Sequence, residues 1–248
     1  MRTRYSPADA AILTARERSL FGPLDSDSFG VTDRLAWELL YRLEPELYAQ
    51  FAGAERLHPA ILGWLPERVD RAVEVAAGSG RLTVPLAARC RELLAIEPAA
   101  QLRQTLASRL AGRRLTNVRV AEGFLDDLPI PDSWADLVIC CSALTPEPCH
   151  GGDSGLEEME RVCRPGGLVV VVWPTNPQWL HGRGYVYESF PGEMSLNFES
   201  HAEAVELCSI FYPHAVTGVS RLVGASVPYG MVGVNPPRDL AWKRIADA

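Results

Sequence analysis

The sequence predicts an α/β protein: a doubly wound, mostly parallel, seven-stranded sheet preceded by an N-terminal helical cap. Three observations predict it. From residue 71 onward, short apolar runs alternate with segments of helical period, the signature of β-α-β units. Residues 168–173 read LVVVVW without one polar side chain, as a parallel strand covered on both faces requires. The first 70 residues instead look helical, with Leu35, Leu39 and Leu43 four apart, and show no clear strand alternation.

Taken in order, Ser6 and Pro7 read as an N-cap and a favoured first-turn proline, opening a helix that Gly22 closes. Residues 25–30 are polar and turn-like, and Thr32 opens a second helix through Leu35, Leu39 and Leu43. Short helices at 47–51 and 59–65 bring the chain to Pro66, so residues 1–69 form the cap and residues 70–248 the sheet domain. Strands are expected at 73–75, 93–96, 118–121, 136–141 and 168–173. Between them lie helices marked by Leu86 and Ala87, by Leu102, Leu106 and Leu110 (stopped at Gly112), and by Leu156, Met159 and Val162. Ser200 with Glu203 forms a capping box for a helix through Leu207 and Ile210. Residues 216–223 and 240–245 are expected as late strands, an antiparallel edge pair.

Bulk properties narrow the function. Hydrophobic residues make up 47% and charged residues 22% of the 248, an ordinary globular composition. A net charge of −7 argues against a nucleic-acid partner, whose affinity rests on cations neutralising phosphates. The basic pairs Arg113-Arg114 and Lys243-Arg244 read as solvated surface charge. No apolar run approaches the roughly 20 residues of a membrane helix, and the polar opening MRTRYSPADA is no secretory signal. A cytoplasmic protein with no membrane partner is expected. The six cysteines include no C-x-x-C pair and no Cys/His cluster with zinc-ligand spacing, so reduced, mostly buried thiols and no metal are expected.

The chemistry concentrates in VEVAAGSGRLTVPLA, residues 73–87, a strand, a small-residue turn and a helix start. The small residues Ala76, Ala77, Gly78, Ser79 and Gly80 let a ligand approach the backbone, where free amides and the helix N-terminus face it. Glu97 follows at the end of the second strand, where one carboxylate can accept from two adjacent ribose hydroxyls. The combination predicts a nucleoside-containing ligand. A dinucleotide fold would show G-x-G-x-x-G, but Thr83 stands three positions after Gly80, which argues against a nicotinamide-dependent oxidoreductase.

The pattern Glu74-x-Ala76-x-Gly78-x-Gly80 resembles the acid-x-G-x-G-x-G motif of class I, Rossmann-like S-adenosylmethionine-dependent methyltransferases. The resemblance continues through Glu97-Pro98, LDDLPIPDSWADLVI (125–139) and ERVCRPGGLVVVVWP (160–174), about residues 70–175 in the right order. It implies an enzyme that moves a methyl group from S-adenosylmethionine to a small-molecule acceptor. The alternative is a catalytically silent cofactor-binding protein that acts as a partner or regulator. The resemblance assigns Glu74 and the Ala76–Gly80 backbone, with Gly78 and Ser79, to the methionine part of the cofactor. It assigns Glu97 to the ribose, Pro98 to the turn beneath the adenine, and Phe124, Leu125 and Asp126 to the adenine flank. Cys141 and Ser142 would lie under the sulfonium side. Two positions depart from the pattern. Ala76 replaces a glycine, which is tolerable if the position needs no positive φ. Phe124 replaces the acid that reads the adenine amino group, so Asp126, Asp127 or a backbone carbonyl stands in, or Phe124 stacks on the base.

Methyl transfer from a sulfonium requires positioning above all, and a base only where the acceptor keeps its proton through the transition state. On the acceptor side, the loop 142–155 offers Glu147 and His150 as candidate catalytic groups. Trp179, His181, Tyr185, Tyr187 and Phe190 form a candidate aromatic wall, with ordinary packing as the competing reading. Tyr48 and Phe51 are candidates for a lid over the cofactor, again against ordinary helix packing. Asn235-Pro236-Pro237-Arg238 nearly matches an N-P-P-aromatic motif of DNA-methylating enzymes, but it lies far downstream and reads as a loop.

Overall fold

A computed structural model describes residues 2–21 and 32–247. The strands are β1 (Val69–Val75), β2 (Cys90–Ile96), β3 (Val118–Ala121), β4 (Ala135–Cys141), β5 (Cys163–Val172), β6 (Val186–Ser189), β7 (Ser195–Asn197), β8 (Ser226–Pro228) and β9 (Asp239–Arg244). Seven form one sheet in the order β3-β2-β1-β4-β5-β9-β6, while β7 and β8 pair separately. The pairs β1–β2, β1–β4, β2–β3 and β4–β5 are parallel, and β9 runs antiparallel to both β5 and β6. The order therefore reverses between β1 and β4, and open α/β sheets bind ligands at such a switch point, outside the carboxyl ends of the strands.

Contacts divide the chain into two compact units, residues 57–192 with 237–248, and residues 1–56 with 193–236. The first unit holds the sheet. Val73, Val75, Val138, Val169 and Val171 pack on one face against Leu156, Met159 and Val162 of the helix Gly152–Val162. Ala72, Ile139, Val170 and Val172 pack on the other against Ile61, Leu65, Leu82 and Leu86. Val169 to Val172 are each fully buried, because a central parallel strand is covered on both sides.

The second unit is mostly helical and holds the β7–β8 pair. Thr32 accepts the Leu35 N–H and opens Asp33–Leu43, which buries Leu35 and Leu39. The helix expected from Ser6 onward is two short pieces, Pro7–Ile12 and Ala15–Ser19. The break has a local cause: Thr14 caps the second piece and Glu17 accepts from the Thr14 N–H, so the helix restarts there. Gly22 and residues 25–30 lie outside the described residues. Phe51 is buried and stacks on Phe211 with centroids 3.9 Å apart, and Tyr48 meets Tyr41 edge-on at 4.8 Å. Both rings thus have packing partners within this unit. Ser200 caps His201–Phe211 as its spacing suggests.

One strand expectation fails. Residues 216–223 contain the helical turn Val216–Val219, with Val219 fully buried. Tertiary burial overrides the β-propensity of the valines there. The edge partner of β9 is instead β6, whose Val186 pairs with Trp242 and Ser189 with Asp239.

Candidate functional site

Three neighbouring strands, β1, β4 and β5, end alike. Each is followed by a non-glycine residue in the left-handed region: Ala76 (φ 55°), Ser142 (φ 54°) and Trp173 (φ 52°). Register aligns the ends, since Val75 pairs with Cys140 and Cys141 with Val172. Non-glycine residues rarely adopt this conformation, and clusters of such strain mark functional edges. Ala76 thus occupies a position that does need positive φ, so the alanine there is strained rather than neutral.

The turn after β1 continues with Gly78 (φ 56°) and Gly80 (φ 94°). A Cβ on Gly80 would stand 2.6 Å from Leu106 Cδ1, so the glycine also lets the helix Ala100–Gly112 pack closely. Glu97, 4% exposed at the end of β2, ties the turn in place. Its Oε2 accepts the Gly78 N–H and its Oε1 the Ala99 N–H, both at 2.9 Å. A carboxylate oxygen can accept a second hydrogen bond beside an amide's. Pro98 follows, and the carbonyls of Glu97 and Pro98 both accept from Arg103 Nη1, at 2.8 and 2.6 Å.

Glu74 lies beneath the turn, 2% exposed, and its Oε2 has no hydrogen-bond partner. Burial pushes its carboxyl up to about 8, against the opposing influence of Thr83 and Arg81. Ser79 is likewise buried. Phe124 and Asp127 exchange backbone hydrogen bonds (Asp127 N–H to Phe124 O 3.1 Å), closing a tight turn that leaves Phe124, Leu125 and Asp126 half-buried.

At the end of β4, Cys141 is half-buried and Ser142 exposed, with the Ser142 N–H donating to Val172 O. Arg81, the residue after the last turn glycine, reaches this edge. Its Nη2 lies 3.6 Å from Cys141 Sγ and its guanidinium stands 5.3 Å from the centroid of the Trp173 ring. The sequence reading missed this cation, although its place directly behind Gly80 was a usable signal. Beyond β4, a parallel bridge joins Thr145 and Gly151. Thr145 Oγ1 lies 3.3 Å from His150 Nδ1 and accepts the Glu147 N–H, so both candidate groups sit on one braced loop.

The five aromatics after β5 do not form one wall. Tyr185 is a core residue, donating to Glu160 at 3.1 Å and lying under Lys243. Trp179 stacks with Arg183, and His181 is exposed. Phe190 lies parallel to His58, centroids 6.0 Å apart, and Tyr187 donates to Asp239 at 2.8 Å. Among the described residues no helix is long and apolar enough to cross a membrane.

Comparison with known proteins agrees with this geometry. Residues 72–167 match the family model described as a methyltransferase domain. An uncharacterized protein of Mycobacterium tuberculosis is 27% identical over 170 residues, 68% of this chain and 56% of its own length. An uncharacterized methyltransferase of the same organism is 29% identical over 133 residues, 52% of this chain and 49% of its own. The chain thus spans about half the length of these curated relatives. A solved structure from Bacillus halodurans, assigned by name to the methyltransferases, superposes with a TM-score of 0.51. It is 17% identical and covers 75% of this chain and 98% of its own, a likeness of fold.

Proposed function

We propose that this chain, whose residues 72–167 match a methyltransferase-domain model, is a class I, Rossmann-like S-adenosylmethionine-dependent methyltransferase that transfers a methyl group to a small-molecule acceptor. The observation that supports this most is the pairing of Glu97 with the Gly78 amide, which fixes a strained glycine-rich turn beside an acid. S-adenosylmethionine supplies the activated methyl group when bound.

The residues present fit such a cofactor. The partnerless Glu74 Oε2 suits a cationic ammonium, while the Ala77, Gly78 and Gly80 amides already donate within the protein and hold the turn's shape. Arg81 adds a positive charge at the same edge, against the Trp173 ring. In this reading Glu74, Arg81 and the backbone from Ala76 through Gly78 and Ser79 to Gly80 hold the methionine part. Glu97 takes the ribose hydroxyls. Pro98 shapes the adenine end, which Phe124, Leu125 and Asp126 flank. Cys141 and Ser142 line the edge where transfer occurs, and His150, braced by Thr145, takes the acceptor's proton with Glu147 beside it. The N-terminal segment 1–69 is proposed as a cap to a catalytic portion spanning 70–248. A cytoplasmic location and an acceptor other than nucleic acid belong to the same proposal, supported by the net charge of −7.

Incubation with methyl-labelled S-adenosylmethionine and a small-molecule extract tests it. Label transferred to a low-molecular-weight product is the expected result. Cofactor binding with no transfer to any acceptor would favour the silent cofactor-binding alternative, to which the strained Ala76 lends support.

A further inference from the structure

The reading above leaves one buried acid at the same sheet edge without a task. Asp239 opens β9 and is 6% exposed. Its Oδ2 accepts the Tyr187 hydroxyl at 2.8 Å, but its Oδ1 is buried with no hydrogen-bond partner. A desolvated carboxylate oxygen without a donor costs free energy that a fold seldom tolerates without reason. The adjacent Arg238 turns Nη1 to the Gly192 carbonyl, 2.8 Å away, and forms no ion pair with Asp239 among the described residues. Burial raises the Asp239 carboxyl above its ordinary range, opposed by the Tyr187 hydroxyl, by its own backbone amide and by the more distant charge of Arg238.

Position gives this acid its meaning. Val172 pairs with Leu240, and the Trp173 N–H donates to the Asp239 carbonyl at 2.9 Å. Asp239 therefore lies on the same edge as Ser142 and Trp173. In the order β4-β5-β9 it stands two strand spacings from the end of β4, about 10 Å at the usual strand separation. That is too far to touch the atom receiving the methyl group, but within the span of a small acceptor bound along the edge. Beside it, Tyr187 is 44% exposed and presents a phenol ring to solvent.

We propose that Asp239 determines specificity by binding a cationic amine of the acceptor, about two strand spacings (~10 Å) from the atom that is methylated. An ammonium matches the site better than a hydroxyl. It supplies a donor to the partnerless Oδ1 and compensates the buried charge. The inference rests on the methyl donor lying at the ends of β1 and β4.

A matched probe pair tests it. In 4-(4-aminobutyl)phenol the amine lies about as far from the phenol oxygen as β9 lies from β4, and 4-butylphenol has the same shape without the charge. Calorimetric titration of each into protein saturated with S-adenosylhomocysteine reads the preference. The amine should bind the intact protein roughly tenfold or more tightly than the neutral probe, the usual worth of a charge-assisted hydrogen bond. The isosteric D239N variant should lose that preference while its affinity for S-adenosylhomocysteine stays unchanged, which also shows that it folds. Equal binding of the two probes, binding of neither, or an unaltered preference in D239N would overturn the assignment. Failure of S-adenosylhomocysteine to bind the intact protein would overturn the cofactor reading itself, and this inference with it.

Discussion

The two halves of the sheet treat buried acids differently. In the parallel half, Glu97 is fully engaged by the protein, each oxygen accepting a backbone amide from a different turn. In the antiparallel half, Asp239 is as deeply buried yet keeps one oxygen without a partner. The first acid serves as architecture; the second is, in the proposed reading, completed by the acceptor's amine. Glu74 stands between them, inside the parallel half but with an open oxygen of its own. In the proposed reading the protein preorganises the cofactor end of the sheet edge and leaves the acceptor end to be completed by its ligand.

Substitutions can break or sharpen that contrast. The largest effect is expected from Glu97→Ala, which frees the Gly78 and Ala99 amides and removes the proposed ribose acceptor. S-adenosylhomocysteine affinity should fall by more than about a hundredfold in calorimetry, since two charge-assisted hydrogen bonds and the turn's anchor go together. His150→Ala should lower turnover by about a hundredfold, the lower end of general-base contributions, with cofactor affinity unaltered. Unchanged turnover would remove His150 from the mechanism.

A smaller, pH-dependent effect belongs to Glu74. Its carboxyl, held at about 8 by burial, is mostly protonated in the free protein at neutral pH. A cationic ligand group favours the carboxylate, so binding releases a proton and tightens as pH rises from 6 toward 8. The slope should approach about tenfold per pH unit, levelling above pH 8, and Glu74→Gln should flatten it. The smallest change is Ala76→Gly. Relief of an alanine at φ 55°, about 1–2 kcal/mol, outweighs the extra chain entropy of glycine, about 0.5–1 kcal/mol. The melting temperature should rise by about 2 °C.

How far the sequence revealed this depended on whether a feature was local. The turn, its acid and the parallel strands were legible because each is a contiguous stretch with a distinctive period or composition. The ends of β1 and β2 came out as read, with the strands starting four and three residues earlier. Asp239 was invisible because nothing in NPPRDLAW marks a site; only pairing with β6, fifty residues upstream in the chain, brings Tyr187 to it. Residues 216–223 misled for the converse reason, since valine-rich composition favours a strand but burial of Val219 favours a helical turn. The five aromatics after β5 looked like one wall in sequence, whereas Trp179 and His181 lie on the helix Pro177–His181, Tyr185 is buried just before β6, and Phe190 follows that strand. The strain at Ala76 is a backbone property that only coordinates reveal.

The most direct test of the central claim is a calorimetric titration of the intact protein with S-adenosylhomocysteine at pH 8. The account predicts saturable binding with one site per chain. The absence of binding at millimolar ligand would contradict it, leaving a class I fold whose glycine-rich turn holds something else.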